Sequence, residues 1–155
     1  MDNFEVQLND LLESALRYIL KIEENALCGY GKVDISINEM HMLEAIGKQN
    51  EKEVKISTVS QLMGITLPST TVAVNKLVKK GFLLKEKCEN DGRVIYVRLT
   101  ALGEKINRVH ALFHKKLSSK ISKELGEEER NILIKSVSKL NEFFIKTLER
   151  DGYRN

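Results

Sequence analysis

The sequence predicts a mainly α-helical fold with a small β wing, and three observations lead to this prediction. Apolar residues recur at helical spacing in two short segments between residues 57 and 80. Two β-rich runs, Phe82–Lys87 and Val94–Leu99, follow and are joined by the polar loop Cys88–Arg93. Long amphipathic segments stand before and after this region. Together these features predict a winged helix-turn-helix core flanked by N- and C-terminal dimerisation helices.

The first core helix is expected to begin at Ser57, whose hydroxyl can cap the free backbone N–H groups of a helix start. Its apolar face would contain Val59, Leu62 and Met63. Gly64 then interrupts the pattern, since glycine readily adopts the left-handed backbone conformation in which helices end. The sequence therefore predicts a short helix followed by a tight turn.

The second core helix has the features of one that reads DNA. Thr66 is the next capping residue, and Pro68 falls in the first helical turn, where its missing N–H has no cost. Gly81 ends this helix. Two short helices followed by a wing form the arrangement that places the second helix in the DNA major groove. The residues expected to be buried are Thr70, Val74, Leu77 and Val78.

The flanking helices carry more apolar surface than one small winged domain can cover. A second copy of the chain is therefore expected to cover it, giving a two-fold homodimer. Cys28–Ile37, with Gly29 and Gly31, is expected to be a loop, and residues 48–55 a charged connection. The helices are expected over residues 4–27, Asn38–Gly47, from Thr100 to about Lys123, and from the turn at Gly126 onward.

The length of 155 residues predicts a single domain, 1–155, with dimerisation helices in 1–34 and 104–155 and a DNA-binding lobe in 35–103. No stretch approaches 18 consecutive apolar residues, so no membrane partner is expected.

Two cysteines, Cys28 and Cys88, are too few for a disulfide scaffold and predict reduced thiols in the cytoplasm. Cys88 follows Lys87, which leaves a redox-sensing thiol as an alternative.

Charge and motifs separate three classes of function. Residues 1–54 contain 5 Lys/Arg and 11 Asp/Glu, whereas residues 55–100 contain 8 and 3, and residues 101–155 contain 12 and 8. The positive excess begins where the helix-turn-helix begins, as phosphate binding requires and a purely protein-binding winged helix does not. A Gly-rich phosphate loop, a nucleophile elbow and motif-placed paired carboxylates are absent from the sequence, so no enzyme and no resident cofactor are expected.

The expected reading face of the second helix lies opposite its buried stripe. Asn75 can form two hydrogen bonds with an adenine edge, and no arginine is present to bind guanine, so an A/T-rich, palindromic operator in double-stranded DNA is expected. Ser57, Thr58 and Lys76 would contact phosphates, and Lys87 would add non-specific attraction. The other predicted reading residues are Pro68, Ser69, Thr71 and Val72.

The wing resembles that of the MarR family of bacterial transcription regulators. The matching signature is Asp, one residue, Arg, five residues, Leu-Thr, two residues and Gly, formed here by Asp91, Arg93, Leu99, Thr100 and Gly103. This resemblance covers nearly the whole chain. It implies that Arg93 reaches the DNA minor groove and that Asp91 holds the tip of the wing.

Three segments resemble the FabT-type repressors of bacterial fatty-acid synthesis genes: Ile22–Leu27, Asp34–Lys48 and Ile106–Lys116. This resemblance implies a homodimeric repressor with long-chain acyl-acyl carrier protein as co-repressor, its acyl tail in an apolar tunnel between helices. The acidic carrier protein would need a basic landing site, which the sequence leaves open between lysines 115 to 123 and the flank of the second core helix. The expected ligand-binding residues are Leu12, Leu16, Ile19, Met40, Leu43, Val109 and Phe113.

Three histidines leave an alternative open. His110 and His114 are four residues apart and so share one helix face, where both could hold one metal ion. Zinc-responsive repressors of the MarR family use a similar arrangement, which here would comprise Glu24, His41, His110 and His114. In another interpretation, the histidines form hydrogen bonds between the dimerisation helices and the DNA-binding lobe and so have a structural or coupling role. In a third, they lie beside the acyl tunnel.

Overall fold

The structure is a computed structural model that describes residues 2–28, 33–49 and 53–150. Most of these residues are helical, and three short strands form one sheet, as the sequence predicts. The elements are α1 (Asn3–Cys28), α2 (Ile37–Gly47), β1 (Val54–Lys55), α3 (Ile56–Met63), α4 (Leu67–Lys79), β2 (Leu83–Lys87), β3 (Ile95–Leu99), α5 (Ala101–Glu124) and α6 (Glu127–Arg150). Residues 29–32 of the expected first loop lie outside the described residues.

The chain divides into two compact units, Met1–His41 and Met42–Asn155. The first contains α1 and the beginning of α2, and α1 leaves most of its large apolar side chains exposed. The second contains the remaining elements, including the whole helix-turn-helix and wing. The finer division into dimerisation helices and a DNA-binding lobe at residues 35–103 stays a prediction.

The start of α3 differs from the expectation. The prediction that Ser57 caps this helix is wrong, because α3 begins at Ile56 and its N-cap residue, Lys55, makes no side-chain capping hydrogen bond. Strand β1 leads directly into the helix, so sheet pairing rather than a hydroxyl fixes where it starts. The helix consequently buries Ile56 and Ser60 together with Val59 and leaves Leu62 exposed.

The turn between α3 and α4 is held by local hydrogen bonds. Gly64 ends α3 with φ of 61°, in the left-handed region that favours glycine. The buried Ser60 Oγ donates to the carbonyl oxygen of Ile65 at 2.7 Å. Thr66 then caps α4, as predicted, by accepting from the backbone N–H of Ser69 at 3.4 Å. These contacts fix the position of α4 relative to α3.

The wing belongs to a three-stranded antiparallel sheet in the order β1-β3-β2. The pairing of β2 with β3 runs from Leu83 opposite Leu99 to Lys87 opposite Ile95. The charged connection expected over residues 48–55 ends in a strand that the sequence did not indicate, because Val54 pairs with Val97 to form β1. Residues 50–52 of that connection lie outside the described residues.

Thr100 joins the wing, the end of α4 and the start of α5, and we call this set of contacts the Thr100 clip. Its hydroxyl donates to the carbonyl oxygen of Gly81 at 2.7 Å and accepts from the backbone N–H of Gly103 at 3.0 Å. Its own N–H donates to the carbonyl oxygen of Phe82. A side chain at Gly103 would collide with that same Phe82 carbonyl. Thr100 therefore caps α5, as predicted, and Gly103 permits the close packing.

The buried core lies mainly under the helix-turn-helix and wing, whereas α6 contributes no buried residue. Thr70, Val74 and Leu77 of α4 are buried as predicted, and Val78 is half-buried. Among the described ranges, no helix is both long and apolar enough to cross a membrane. The other apolar core residues are Leu27, Met40, Met42, Leu43, Ile46, Val54, Ile56, Val59, Phe82, Leu83, Val97 and Ile106.

Candidate nucleic-acid interface

Helix α4 presents one polar face to solvent while its opposite face is buried. Three buried residues at spacings of four and three fix which side of the helix points inward. Pro68 at the start and Lys76 near the end lie on the outward side. The predicted reading residues are all accessible there: Pro68, Ser69, Val72, Asn75 and Lys76 are exposed, and Thr71 is half-buried.

Asn75 has a partner that the sequence did not indicate. Lys85 Nζ on β2 donates to Asn75 Oδ1 on α4 at 2.8 Å. Asn75 Oδ1 therefore already accepts one hydrogen bond from the wing, which leaves its NH2 group and the second lone pair of the oxygen for a base. The expected pair of hydrogen bonds to adenine would place the N6 amino group, a donor, beside the Lys85 ammonium, which is also a donor.

The start of α3 contains two of the residues predicted to contact phosphates. Ser57 and Thr58 occupy its first turn, Ser57 exposed and Thr58 half-buried. The first backbone N–H groups of a helix have no partner within it and carry partial positive charge, so they favour a phosphate. Because Ser57 does not cap α3, the Ser57 hydroxyl is available for such a contact.

The tip of the wing is organised by Asp91. Its carboxylate Oδ1 accepts from the backbone N–H of Arg93 at 3.0 Å, and its carbonyl oxygen accepts from the N–H of Val94 at 2.9 Å. The N–H of Cys88 donates to Val94 and closes the loop. Arg93 itself is exposed. The geometry agrees with the roles that the resemblance implies: Asp91 folds the tip, and Arg93 is presented by it.

Further basic residues flank this surface, and they differ in their partners. Lys87 is exposed at the end of β2, on the same face of the strand as Lys85. Arg98, on β3, is held by Glu86 at 3.1 Å and so has its charge partly compensated. The wing therefore offers Lys87 and Arg93 for attraction of phosphates more readily than Arg98.

The sequence model described as transcriptional regulator SarA/Rot matches residues 29–112. The chain belongs to the SarA/Rot family of transcriptional regulators. A relative of this regulator is the HTH-type transcriptional regulator YfiV of Bacillus subtilis, 31% identical over 111 residues, or 71% of this chain and 68% of YfiV.

Solved structures place the SarA/Rot regulator's fold among MarR-family proteins, as the sequence predicts. Streptococcus pneumoniae FabT in complex with DNA superimposes with a TM-score of 0.87 at 36% identity, over 92% of this chain and 99% of that chain. A MarR variant from E. coli in complex with operator DNA superimposes with a TM-score of 0.70 at 22% identity, over 90% of this chain and 99% of that chain. The regulator is thus a DNA-binding transcriptional regulator of the MarR type.

Two of the three histidines of this regulator form a cluster with Glu44 on α2. His110 is 1% exposed, its Nδ1 lies 3.8 Å from Glu44 Oε2, and its Nε2 lies 3.2 Å from His114 Nε2. Ligand atoms of these three side chains all lie within 4.8 Å of one another. Both ring nitrogens of His110 thus face polar groups, and the set of donors suits either a hydrogen-bonded relay or a divalent metal such as zinc.

Glu44 is ionised at neutral pH in this environment. Partial burial would raise its pKa, but the hydrogen bond from Lys48, the positive charge of Lys48 and electrostatic interaction with the His110 and His114 side chains outweigh that effect and lower the pKa below its usual value. The Lys48 Nζ to Glu44 Oε1 distance is 2.7 Å. A carboxylate is therefore present beside His110 at neutral pH.

Two residues of the alternative zinc set, His41 and Glu24, each pair with another residue. His41 Nε2 is 3.3 Å from Oε2 of the buried Glu23, the residue before Glu24. Glu24 is exposed and pairs with Lys21 at 3.4 Å. Among the residues that the structure describes, Glu23 and Glu44 thus lie beside histidines, and helical periodicity alone did not distinguish Glu23 from Glu24.

The residues expected to bind an acyl chain differ in their accessibility. Met40 and Leu43 are fully buried, and Val109 and Phe113 are half-buried. In α1, Leu12, Leu16 and Ile19 are exposed. Their role in binding a ligand stays a prediction.

One face of α5 is basic. Four lysines surround the exposed Leu112 in a shallow depression of about 410 Å³. They recur at helical spacing and so share this face. The residues that line the depression are Leu112, Lys115, Lys116, Ser119, Lys120 and Lys123.

Proposed function

We propose that this regulator is a homodimeric repressor of fatty-acid biosynthesis genes whose affinity for DNA is raised by long-chain acyl-acyl carrier protein. The observation that supports this proposal most is the likeness to FabT, at 36% identity over 92% of the chain. The three FabT-like sequence segments agree with it. The proposed logic is feedback: abundant acylated carrier protein tightens repression.

The homodimer is supported by apolar side chains that the single chain leaves in solvent. In α6, Phe143, Phe144 and Leu148 are exposed, and no residue of this helix is buried. In α1, the exposed residues include Phe4 and Leu11. Such a quantity of exposed apolar surface is typical of an interface. A two-fold dimer would present two copies of α4 to a palindromic operator.

The basic face of α5 supports an acidic protein partner. The lysines that surround Leu112 would attract the acidic carrier protein, and the leucine would give an apolar contact at its centre. Of the two landing sites that the sequence leaves open, we therefore propose this face of α5.

The proposal is tested by fluorescence anisotropy with promoter DNA of bacterial fatty-acid synthesis genes. The purified regulator is titrated alone, with unacylated carrier protein, and with long-chain acyl-acyl carrier protein. We expect marked tightening with the acylated form and none with the unacylated form. DNA binding that responds to neither form would contradict the proposed effector while leaving the DNA-binding activity intact.

A charge reversal on α5 tests the landing site. Lys116→Glu combined with Lys120→Glu should remove the response to acyl-acyl carrier protein, because the partner is itself acidic. Lys135→Glu combined with Lys139→Glu makes the same change of charge on α6 and serves as the matched control. Equal responses in both double variants would exclude the basic face of α5 as the landing site.

A second candidate function, a zinc-responsive repressor, is favoured by one observation: the cluster of Glu44, His110 and His114. Zinc prefers imidazole and carboxylate ligands of this kind. In this proposal zinc binding, rather than an acyl chain, changes the affinity for DNA.

Competition with a chromophoric zinc chelator tests this candidate. His114→Ala should weaken zinc binding, since it removes one donor of the cluster. His41→Ala should leave zinc binding unchanged if the Glu44 cluster is sufficient, and should weaken it if His41 is itself a ligand of the metal. Absence of zinc binding at micromolar metal by the unmodified regulator would exclude the candidate.

A further inference from the structure

The hydrogen bond between Lys85 and Asn75 joins the wing to the reading face of α4. Lys85 lies on β2 and is half-buried, whereas Asn75 lies on the exposed side of α4. The 2.8 Å distance from Lys85 Nζ to Asn75 Oδ1 is that of a well-formed, charge-assisted hydrogen bond. This contact determines which groups α4 can offer to a base at this position.

Lysine has only N–H donors, so its partner must be the carbonyl oxygen of the amide and not the nitrogen. The orientation of Asn75 is thereby fixed, with its NH2 group directed away from the Lys85 contact. The ammonium of Lys85 has three N–H groups, and the bond to Asn75 uses one of them. Together the two side chains offer several N–H donors, and the one remaining acceptor, the second lone pair of Asn75 Oδ1, lies beside the positive charge of Lys85.

Bases differ in how they match such a pair. In the major groove guanine presents two acceptors, N7 and O6, whereas adenine presents the acceptor N7 beside the donor N6. An asparagine whose oxygen is free satisfies both atoms of adenine. Beside Lys85, the amino group N6 of adenine would face a positively charged donor, whereas O6 and N7 of guanine can accept from both Asn75 and Lys85.

We propose that Asn75 and Lys85 act as a donor-rich pair that selects guanine at one position of each operator half-site. Asn75 contacts the base, and Lys85 is a positioning residue that fixes the amide. This specificity replaces the adenine contact expected from the sequence. The inference rests on the DNA-binding activity of the regulator and does not depend on its effector.

The test is selection from duplexes with a randomised central segment, carried out with the full chain and followed by sequencing. The unmodified regulator, Asn75→Ala and Lys85→Met are compared. The base position read by Asn75 is the one whose preference disappears in Asn75→Ala. At that position we expect guanine with the unmodified regulator, and a shift toward adenine of about tenfold in Lys85→Met, within the range of discrimination by one paired contact.

Two further variants separate positioning from charge. Lys87→Met removes a neighbouring positive charge from the same face of β2, so we expect weaker binding to all sequences with the guanine preference intact. Lys85→Arg retains a donor-only side chain and should preserve the preference for guanine. A merely structural role of Lys85 would alter affinity or thermal stability without exchanging one base preference for another.

Adenine at this position with the unmodified regulator, unchanged in Lys85→Met, would overturn the proposal. A preference that Asn75→Ala alters nowhere would also overturn it. If the unmodified regulator enriched no sequence at all, the DNA-binding activity itself would fail, and this result is distinct from either of the others.

Discussion

At the scale of single residues, the polar side chains predicted to contact DNA differ in whether hydrogen bonds within the protein already hold them. Arg93 is exposed at a wing tip whose turn is closed by Asp91. Asn75 is already held by Lys85. Ser57 is exposed because the helix it was expected to cap begins before it. Local hydrogen bonds therefore decide what each residue can offer to DNA.

Arg93→Ala should weaken DNA binding without changing the fold. The side chain is exposed, so its removal costs little stability, whereas loss of one cation near DNA removes one charge contact. We expect the slope of the logarithm of affinity against the logarithm of salt concentration to fall in magnitude by about one. Anisotropy titrations at several salt concentrations measure this slope.

Arg98→Ala is the matched control for this change. Arg98 is also exposed on the wing, but it pairs with Glu86, so its removal should alter the salt dependence much less. Equal slopes for the unmodified regulator and Arg93→Ala would refute the DNA contact assigned to Arg93.

At the scale of elements, helix boundaries follow from caps and close contacts. Thr66 and Thr100 each accept a backbone N–H three residues ahead, and α4 and α5 begin after them. Gly103 allows α5 to approach the carbonyl of Phe82. The Leu-Thr and Gly positions of the wing signature thus have a structural reason independent of DNA.

Gly103→Ala should destabilise the fold, because the new methyl group would collide with the backbone carbonyl of Phe82. We expect a loss of about 1–3 kcal/mol in the free energy of unfolding, as for other overpacked sites. Urea unfolding followed by circular dichroism measures it. Gly126→Ala is the control, since a methyl group there would meet only the flexible Glu129 carboxylate at ordinary contact distance. Equal stability of the two variants would contradict this packing argument.

The helices and the wing were predictable from the sequence because capping residues, glycines and apolar spacing are local signals. Strand β1 was not predicted, since its two residues form a strand only by pairing with β3. The Ser57 cap was wrongly expected because this same pairing determines where α3 begins.

The candidate site was predicted less completely than the fold. Exposure of the α4 face followed from its buried stripe, and the Asp91 turn followed from the wing signature. The bond from Lys85 to Asn75 and the approach of Glu44 to His110 join different elements. Periodicity describes one element at a time, so it gave no sign of either contact.

At the scale of the whole molecule, the single chain leaves large apolar side chains of α6 in contact with water. Phe143 and Phe144 pack against each other with ring centroids 5.8 Å apart, and both are exposed. Burial of such aromatic surface against a second copy would stabilise an assembly substantially.

Phe143→Glu combined with Leu148→Glu should therefore dissociate the dimer. In sedimentation equilibrium we expect the unmodified regulator at twice the chain mass of 17.7 kDa and the variant at 17.7 kDa. The monomer should bind a palindromic duplex far more weakly, because one half-site alone is engaged. Lys146→Glu, also on α6, is the control and should remain dimeric; a monomeric unmodified regulator would contradict the proposed assembly.

The Thr100 clip has a consequence for how any signal reaches DNA. One side chain connects the end of the α4 segment at Gly81, the second wing strand and the first turn of α5. Because these hydrogen bonds hold the three elements together, tilting of α5 would move the wing and the end of α4 with it. In a dimer, such a movement would change the distance between the two copies of α4 and between the two wings. An effector acting along α5 would then set how strongly an operator is held while leaving its preferred sequence the same.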